Sequence, residues 1–392
     1  MPEPLVFLLP RYDPQSPEHF FHLHGFLERV AARVDLTVLV ERMRPKEVWA
    51  GRARVRRLRA RFAALRFFEE LAWFAAARAR GARRFYVHYS LSGGLAASLV
   101  TRLMGGETFY WNCGLYRQFA PGREAGWRER WRAARGVWLL ELVLRLCTWL
   151  VTGTPRMAEY YAREARIPLA KIRVLPNFID RERFAGLNRD QARKQLGIGR
   201  DEQVLLFLHR VAPRKGAHHL PDILRAVEER CGPVHLIIVG DGPYLAPLRE
   251  AMERAGLSRR CDFRGWVPNR DAPTYFRAAD LYLMPSLEEG FPRVLLEAMA
   301  SACPFVAFDI GGVSDILTRK QAAAVVRAGA VDEFARRCVE LVQDQGLRQR
   351  LAAAGLERVK AFDEERVAEM FVEMMRGKAP RWPGADGAGS IL

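Results

Sequence analysis

The 392-residue chain reads as short apolar, β-branched runs alternating with longer helical patterns, and the alternation restarts near its middle. The first series runs VFLLP, a helix near 17–33, DLTVLV, a long helical region, FYVHYS, another helix and TFYWNCG. The second runs VLLFLHR at 204, a helix over about 216–230, VHLIIVG, a helix at 244–255, CDFRGWV, a short helix, DLYLMPS, a helix at about 292–301 and PFVAFDIGG. Strands separated by helices build parallel sheets, so the pattern predicts an α/β chain of two doubly wound, Rossmann-like domains facing a cleft. A Pro-Asn turn in RVLPNFIDRERF, 173–184, interrupts the rhythm and marks the linker. The expected domains are 1–178, binding an acceptor, and 179–361. The amphipathic segment within 362–380 is expected to pack back on the first, and 381–392 forms a Gly/Ala/Ser tail expected to be disordered.

With 49% hydrophobic and 27% charged residues the chain can bury two sizeable cores, which excludes a disordered or fibrous protein. Its six cysteines are scattered without a CxxC pair, which suits free thiols in a reducing compartment. His19, His22 and His24 cluster, as do His218 and His219, but no nearby carboxylates or thiols back them, so no metal is expected. MPEPLVFLLPR lacks the features of a secretory signal, and Leu5 to Leu9 reads as a first buried strand. The longest apolar run, 136–151, is too short to span a bilayer and contains Glu141 and Arg145. The expected location is the cytoplasm, peripheral on the inner face of the cell membrane.

The stretch PSLEEGFPRVLLEAMASACPFVA, 285–307, carries the most chemical information. It reads as a strand end, a turn at Glu289-Gly290-Phe291-Pro292, and a helix with proline in its first turn, where the missing N–H costs nothing. Glu289 sits in the turn beside a helix N-terminus, whose free N–H groups attract phosphate or sugar oxygens. Glu297 lies inside the helix and can reach a second part of the same ligand, although either glutamate can also be a solvated or end-capping acid. Upstream, HRVAPRKG places Arg210 and Lys215 in the loop at a strand's carboxyl end, where open α/β sheets bind ligands. Two cations there suit a diphosphate, gripped by the guanidinium and a point charge.

Arg210 with Lys215-Gly216, VGDGP at 239–243, FRGWVP at 263–268, FRAADLYLMPS, Glu289 with Glu297, and GGVSDI at 311–316 together resemble the retaining glycosyltransferase family 4, also called group 1. The resemblance covers about 205–320 and implies the two-domain GT-B fold and a nucleotide diphosphate-sugar donor held by the C-terminal half. It implies that Arg210 and Lys215 bind the diphosphate and stabilise the departing nucleotide. Glu289 would meet hydroxyls of the transferred sugar and Glu297 the ribose. The backbone of Gly290, Phe291, Pro292 and Arg293 would meet sugar and phosphate, while Trp266 and Val267 lie against the base. The chain departs from the family at His209, where glycine is usual, and at Asp315, where glutamate is commoner. No Asp-x-Asp motif is visible, so the implied enzyme is metal-independent with no cofactor beyond the donor. Retention without an evident carboxylate nucleophile implies same-face attack, the leaving phosphate taking the acceptor's proton. The N-terminal half matches only loosely; His88 and Asn112, at strand ends, are candidate acceptor contacts, or else merely cap loops.

The formal charge of +17 is unevenly placed. Residues 1–178 hold 30 Lys and Arg against 15 Asp and Glu, whereas 179–392 hold 32 against 30. Within 51–84, eleven arginines face two glutamates, and Val55, Leu58, Phe62, Leu65 and Phe68 recur at helical spacing. That predicts a basic amphipathic helix, suited to an anionic bilayer or simply packed on its own sheet. The Trp-rich segment 126–138 adds interfacial aromatics, which favours a lipid-linked or cell-envelope glycan acceptor over nucleic acid, for which no binding module is recognisable. A nicotinamide-dependent dehydrogenase would need GxGxxG after a first strand, which VFLLPRYDP lacks. A catalytically silent nucleotide-sugar-binding or scaffold protein on the same fold is the remaining alternative.

Overall fold

A computed structural model describes residues 4–12, 22–43, 49, 51–114, 126–186 and 188–383. The chain divides into two units: Met1–Pro176 with Glu365–Trp382, and Asn177–Glu364 with Pro383–Leu392. His19 and the tail beyond 383 lie outside the described residues.

The first unit holds β1 (Pro4–Leu9), β2 (Asp35–Val40), β3 (Arg54–Arg57), β4 (Arg84–His88), β5 (Glu107–Trp111), β6 (Trp149–Thr152) and β7 (Ile172–Val174). They pair in the order β3-β2-β1-β4-β5-β6-β7, every neighbour parallel. The helices are α1 (Leu23–Ala31), α2 (Ala63–Ala79), α3 (Leu91–Met104), α4 (Trp127–Leu146) and α5 (Pro155–Glu164). Helices covering a parallel sheet explain why β1 and β4 are apolar along nearly their whole length rather than alternating. Ser90 caps α3 by accepting from the Gly93 N–H at 3.0 Å, and Thr154 caps α5 ahead of Pro155.

The second unit repeats the plan with β8 (Val204–Leu208), β9 (His235–Val239), β10 (Cys261–Gly265), β11 (Leu281–Met284), β12 (Phe305–Asp309) and β13 (Val325–Arg327), ordered β10-β9-β8-β11-β12-β13. Its helices are α6 (Arg181–Ala185), α7 (Arg189–Leu196), α8 (Leu220–Cys231), α9 (Leu245–Arg254), α10 (Ala272–Ala278), α11 (Arg293–Ala300), α12 (Val313–Ile316), α13 (Val331–Gln343) and α14 (Gln345–Val359). The last helix, α15 (Glu364–Met375), joins the first unit, where the Phe371 ring lies 5.9 Å from Phe7, 5.5 Å from Phe26 and 4.9 Å from Tyr86. Phe362 and Asp363 stay with the second unit, Asp363 bridging to Ile179. Among the described residues no helix is long and apolar enough to cross a membrane.

One expectation fails: 51–84 is not one amphipathic helix. Arg54–Arg57 form the edge strand β3, paired with β2 from Thr37 to Val40, and helix begins only at Ala63. Helical spacing cannot register an open sheet edge, whose unpaired N–H and C=O groups capture a short extended segment whatever its side-chain period. The exposed arginines of β3 then blunt the new edge. In α2 the buried positions are Arg66, Glu70, Phe74 and Ala77, and the apolar Phe62, Leu65 and Phe68 point outward at 74%, 60% and 64% exposure.

The buried face of α2 carries a charge network. Arg66 lies 3.5 Å from Glu41 and 3.8 Å from Glu70, whose carboxylate also accepts from the Ser92 hydroxyl. Burial, and then the nearby charge of Glu41, push Glu70 up to about 8. A carboxyl whose folded pKa lies above its unfolded value adds stability fully present below the unfolded value near 4.5 and lost as pH rises through about 8. Glu70→Gln is therefore expected to flatten the fall in melting temperature over that window. An unchanged pH profile in scanning calorimetry would contradict the assignment.

Candidate active site

The family motifs of the second unit converge at the carboxyl ends of its strands, held together by backbone contacts. The loop after β8 folds onto the one after β9: Val211 N–H donates to Asp241 O at 3.0 Å and Tyr244 N–H to Val211 O at 3.1 Å. It also meets the turn after β11, where Leu287 N–H donates to Arg214 O at 2.9 Å. Gly216 has φ +72°, and a Cβ there would lie 1.8 Å from Pro285 O, so only glycine lets these segments touch. Gly311 does the same on the far side: its Cβ would lie 1.7 Å from Glu289 O, and Gly312 N–H donates to Gly290 O at 3.1 Å.

Within this frame Lys215, 5% exposed, places its ammonium 2.6 Å from Glu289 Oε1 and 3.4 Å from the Glu288 carbonyl. His209 Nε2 lies 3.1 Å from the same carboxylate oxygen, while its Nδ1 accepts from Arg210 N–H at 2.8 Å. An Nδ1 that accepts leaves the proton of the neutral ring on Nε2, where it donates to Glu289. Burial and the charge of Lys215 lower the His209 pKa, which favours that neutral ring. Burial alone would raise Glu289, but the Lys215 charge and the hydrogen bond from His209 outweigh it, holding the carboxyl well below the usual carboxylate range. Glu289 is thus fixed as an ionised acceptor.

Glu297 is buried in α11, and its pKa is raised by that burial against the charges of Arg293 and Arg183 and a hydrogen bond from Asn269. Arg183 Nη2 donates to Asn269 Oδ1 at 2.6 Å, so a polar relay runs from α6 to Glu297. Arg210 is exposed beside this cluster, and Gly290 and Arg293 are half-buried. Phe291 and Pro292 are buried, the Phe291 ring standing edge-on to Phe362. Val267 is half-buried and Trp266 48% exposed at the end of β10. The arrangement can present cations, a helix N-terminus and two carboxylates to a polyanionic, hydroxyl-rich ligand.

In the first unit His88 and Asn112 end β4 and β5 and are both buried. His88 stacks on Trp111 at 5.7 Å, and Asn112 Oδ1 accepts from Gly114 N–H at 3.0 Å, a loop-capping contact. Two contributors escaped the sequence reading. Asn269 carries no local signal, because its link to Glu297 spans two strand ends. His209 was legible only as a departure from the family pattern; that a polar ring replaces a glycine beside Glu289 was the available clue.

Residues 188–358 match the family described as glycosyl transferases group 1. The GDP-mannose-dependent alpha-(1-6)-phosphatidylinositol monomannoside mannosyltransferase of Mycobacterium tuberculosis is 30% identical over 220 residues, 54% of this chain and 57% of that protein. The chain thus spans little more than half of that relative's length. The sucrose-phosphate synthase structure from Thermosynechococcus elongatus superposes at TM-score 0.75 with 20% identity, covering 96% of this chain and 98% of its own. Anabaena HepE, solved with UDP and glucose, gives TM-score 0.73 at 18% identity, covering 96% and 100%. The fold is GT-B, as the motifs implied.

Proposed function

We propose that the chain is a retaining glycosyltransferase that moves a sugar from a nucleotide diphosphate-sugar to a lipid-linked or cell-envelope glycan acceptor at a membrane surface. The observation that carries the reading is the joining of Lys215, His209 and Glu289 at the carboxyl ends of β8 and β11. In it, the third N–H of the Lys215 ammonium, beyond those directed to Glu289 and Glu288, meets a phosphate oxygen of the donor, and the exposed Arg210 grips the diphosphate. These cations offset the charge that grows on the leaving group. The fixed carboxylate of Glu289 accepts from sugar hydroxyls, and Glu297 from the ribose. The acceptor attacks from the face the nucleotide leaves, its proton passing to the departing phosphate oxygen.

The lipid-linked acceptor is supported by the exposed aromatics of the first unit. On α4, Trp127, Trp131 and Trp138 fall on one face and are all more than half exposed, with Arg128 and Arg135 over two of the rings. Helix α3 packs against both α4 and α2, whose own outward stripe is Phe62, Leu65 and Phe68. Tryptophan and arginine together suit the interface of an anionic bilayer. The mycobacterial relative's name specifies a phosphatidylinositol-based acceptor.

A thermal-shift screen against nucleoside diphosphates and diphospho-sugars tests the donor site, because a ligand that binds only the folded chain raises its melting temperature. The expected result is a shift of several degrees with one nucleotide, lost in Arg210→Ala, and unchanged by a chelator. No shift with any nucleotide, with or without anionic vesicles, overturns the reading in favour of a silent scaffold.

A further inference from the structure

The first unit contains a cavity of about 450 Å³ lined by Arg11, Arg42, Arg57, Arg59, Arg61 and Arg66, with Glu41 the one acid on its wall among the described residues. The arginines come from the segments that follow β1, from the end of β2, and from the end of β3 through the first turn of α2. All of these are carboxyl ends of strands in a doubly wound sheet, where ligands bind. Among the described residues, Arg42, Arg57, Arg59 and Arg61 make no ion pair with a carboxylate. Arg66 is 8% exposed, and its Nε makes no hydrogen bond among the described residues, the nearest carboxylates standing at 3.5 and 3.8 Å. The Arg66 Nε thus lies between two carboxylates without a hydrogen bond to either, so its pairing is loose.

The remaining neighbours strengthen the positive field. Glu70, behind Arg66, is pushed up to about 8 and so is largely uncharged at neutral pH, and burial raises Glu41 as well. The Glu69 carboxylate does not line the cavity and accepts from the backbone N–H groups of Arg59 and Ala60 on its wall. The N-terminus of α2 has no side-chain cap and lies between Arg61 and Arg66, adding its dipole to the cavity edge.

We propose that this arginine cavity is a binding site for a phosphate or diphosphate ester, the anionic group by which the acceptor is held. Guanidinium forks match phosphate oxygens bidentately, and a carboxylate ligand would use far fewer of the six arginines. The cavity wall includes Arg61, next in the chain to the exposed Phe62, so an ester carried by a lipid would have apolar surface available nearby. The role as acceptor site rests on the transferase reading; the phosphate site itself does not.

Isothermal titration of the full chain with inorganic pyrophosphate tests it, in an Arg210→Ala/Lys215→Ala background so that the second unit's cations do not contribute. The expected result is one pyrophosphate per chain, weakened at least about tenfold by adding Arg57→Gln and Arg59→Gln, both exposed positions that the fold does not need. No binding in that background, or binding unmoved by the two substitutions, overturns the proposal, whatever becomes of the donor site. Competition by phosphatidylcholine vesicles containing phosphatidate, but not by vesicles carrying oleate at matched charge, assigns the site to a lipid headgroup. Pyrophosphate binding undisturbed by both vesicles, yet lost in the double variant, supports the same site for a soluble phosphate ester.

Discussion

Lys215→Ala is expected to lower sugar transfer at least about a hundredfold while the chain stays folded, because in the proposed reaction it removes a cation from the leaving diphosphate in a site partly screened from water. The same substitution takes from Glu289 its closest partner, 2.6 Å away, so the carboxyl's pKa should rise toward the ordinary range. Glu289→Gln keeps the shape and the His209 contact but replaces an ionised acceptor by a neutral amide, and should cost a similar factor in turnover. The two lesions differ in one respect that a kinetic assay can read. Loss of Lys215 should weaken binding of the nucleoside diphosphate itself, whereas Glu289→Gln should leave that binding nearly intact and affect only the sugar-bearing donor. Near-wild-type turnover in either variant, with unchanged melting temperature, would remove both residues from the site. With the His209 pKa lowered by burial and the Lys215 charge, any change in transfer linked to its protonation should fall at lower pH than for an ordinary imidazole.

Replacing Trp127, Trp131 and Trp138 together by serine is expected to lower partition onto anionic vesicles by on the order of a hundredfold, since each indole contributes apolar area at the headgroup boundary. Because all three are exposed, the triple variant should unfold at the wild-type temperature. Raised salt should weaken the residual binding through the arginines around them. Co-sedimentation that is equal for wild type and variant would detach the aromatic stripe from any bilayer. Turnover measured with a water-soluble acceptor separates that role from the chemistry: it should fall in Lys215→Ala and hold in the tryptophan variant.

The α/β class, the two doubly wound halves, and the placement of Arg210, Lys215 and Glu289 in strand-end loops with Glu297 in the helix that follows were legible in the chain itself. Buried parallel strands must be nearly all apolar, and the loop glycines Gly216 and Gly311 are demanded by close backbone approach, so both leave local marks. The order and spacing of the motifs also carried the resemblance to the group 1 family, whose match runs over 188–358. Over residues 51–84 the sequence misleads, because the apolar recurrence of Val55, Leu58, Phe62, Leu65 and Phe68 says nothing of a waiting sheet edge. Pairing with β2 drew Arg54–Arg57 into a strand and turned the buried face of α2 to Arg66 and Glu70. Likewise the hydrogen bond of His209 to Glu289, the relay through Asn269 and the six-arginine cavity join residues distant in the chain. Local periodicity fixes which residues a segment buries on its own; which charges then face one another is decided by how the loops at the carboxyl ends of the strands meet.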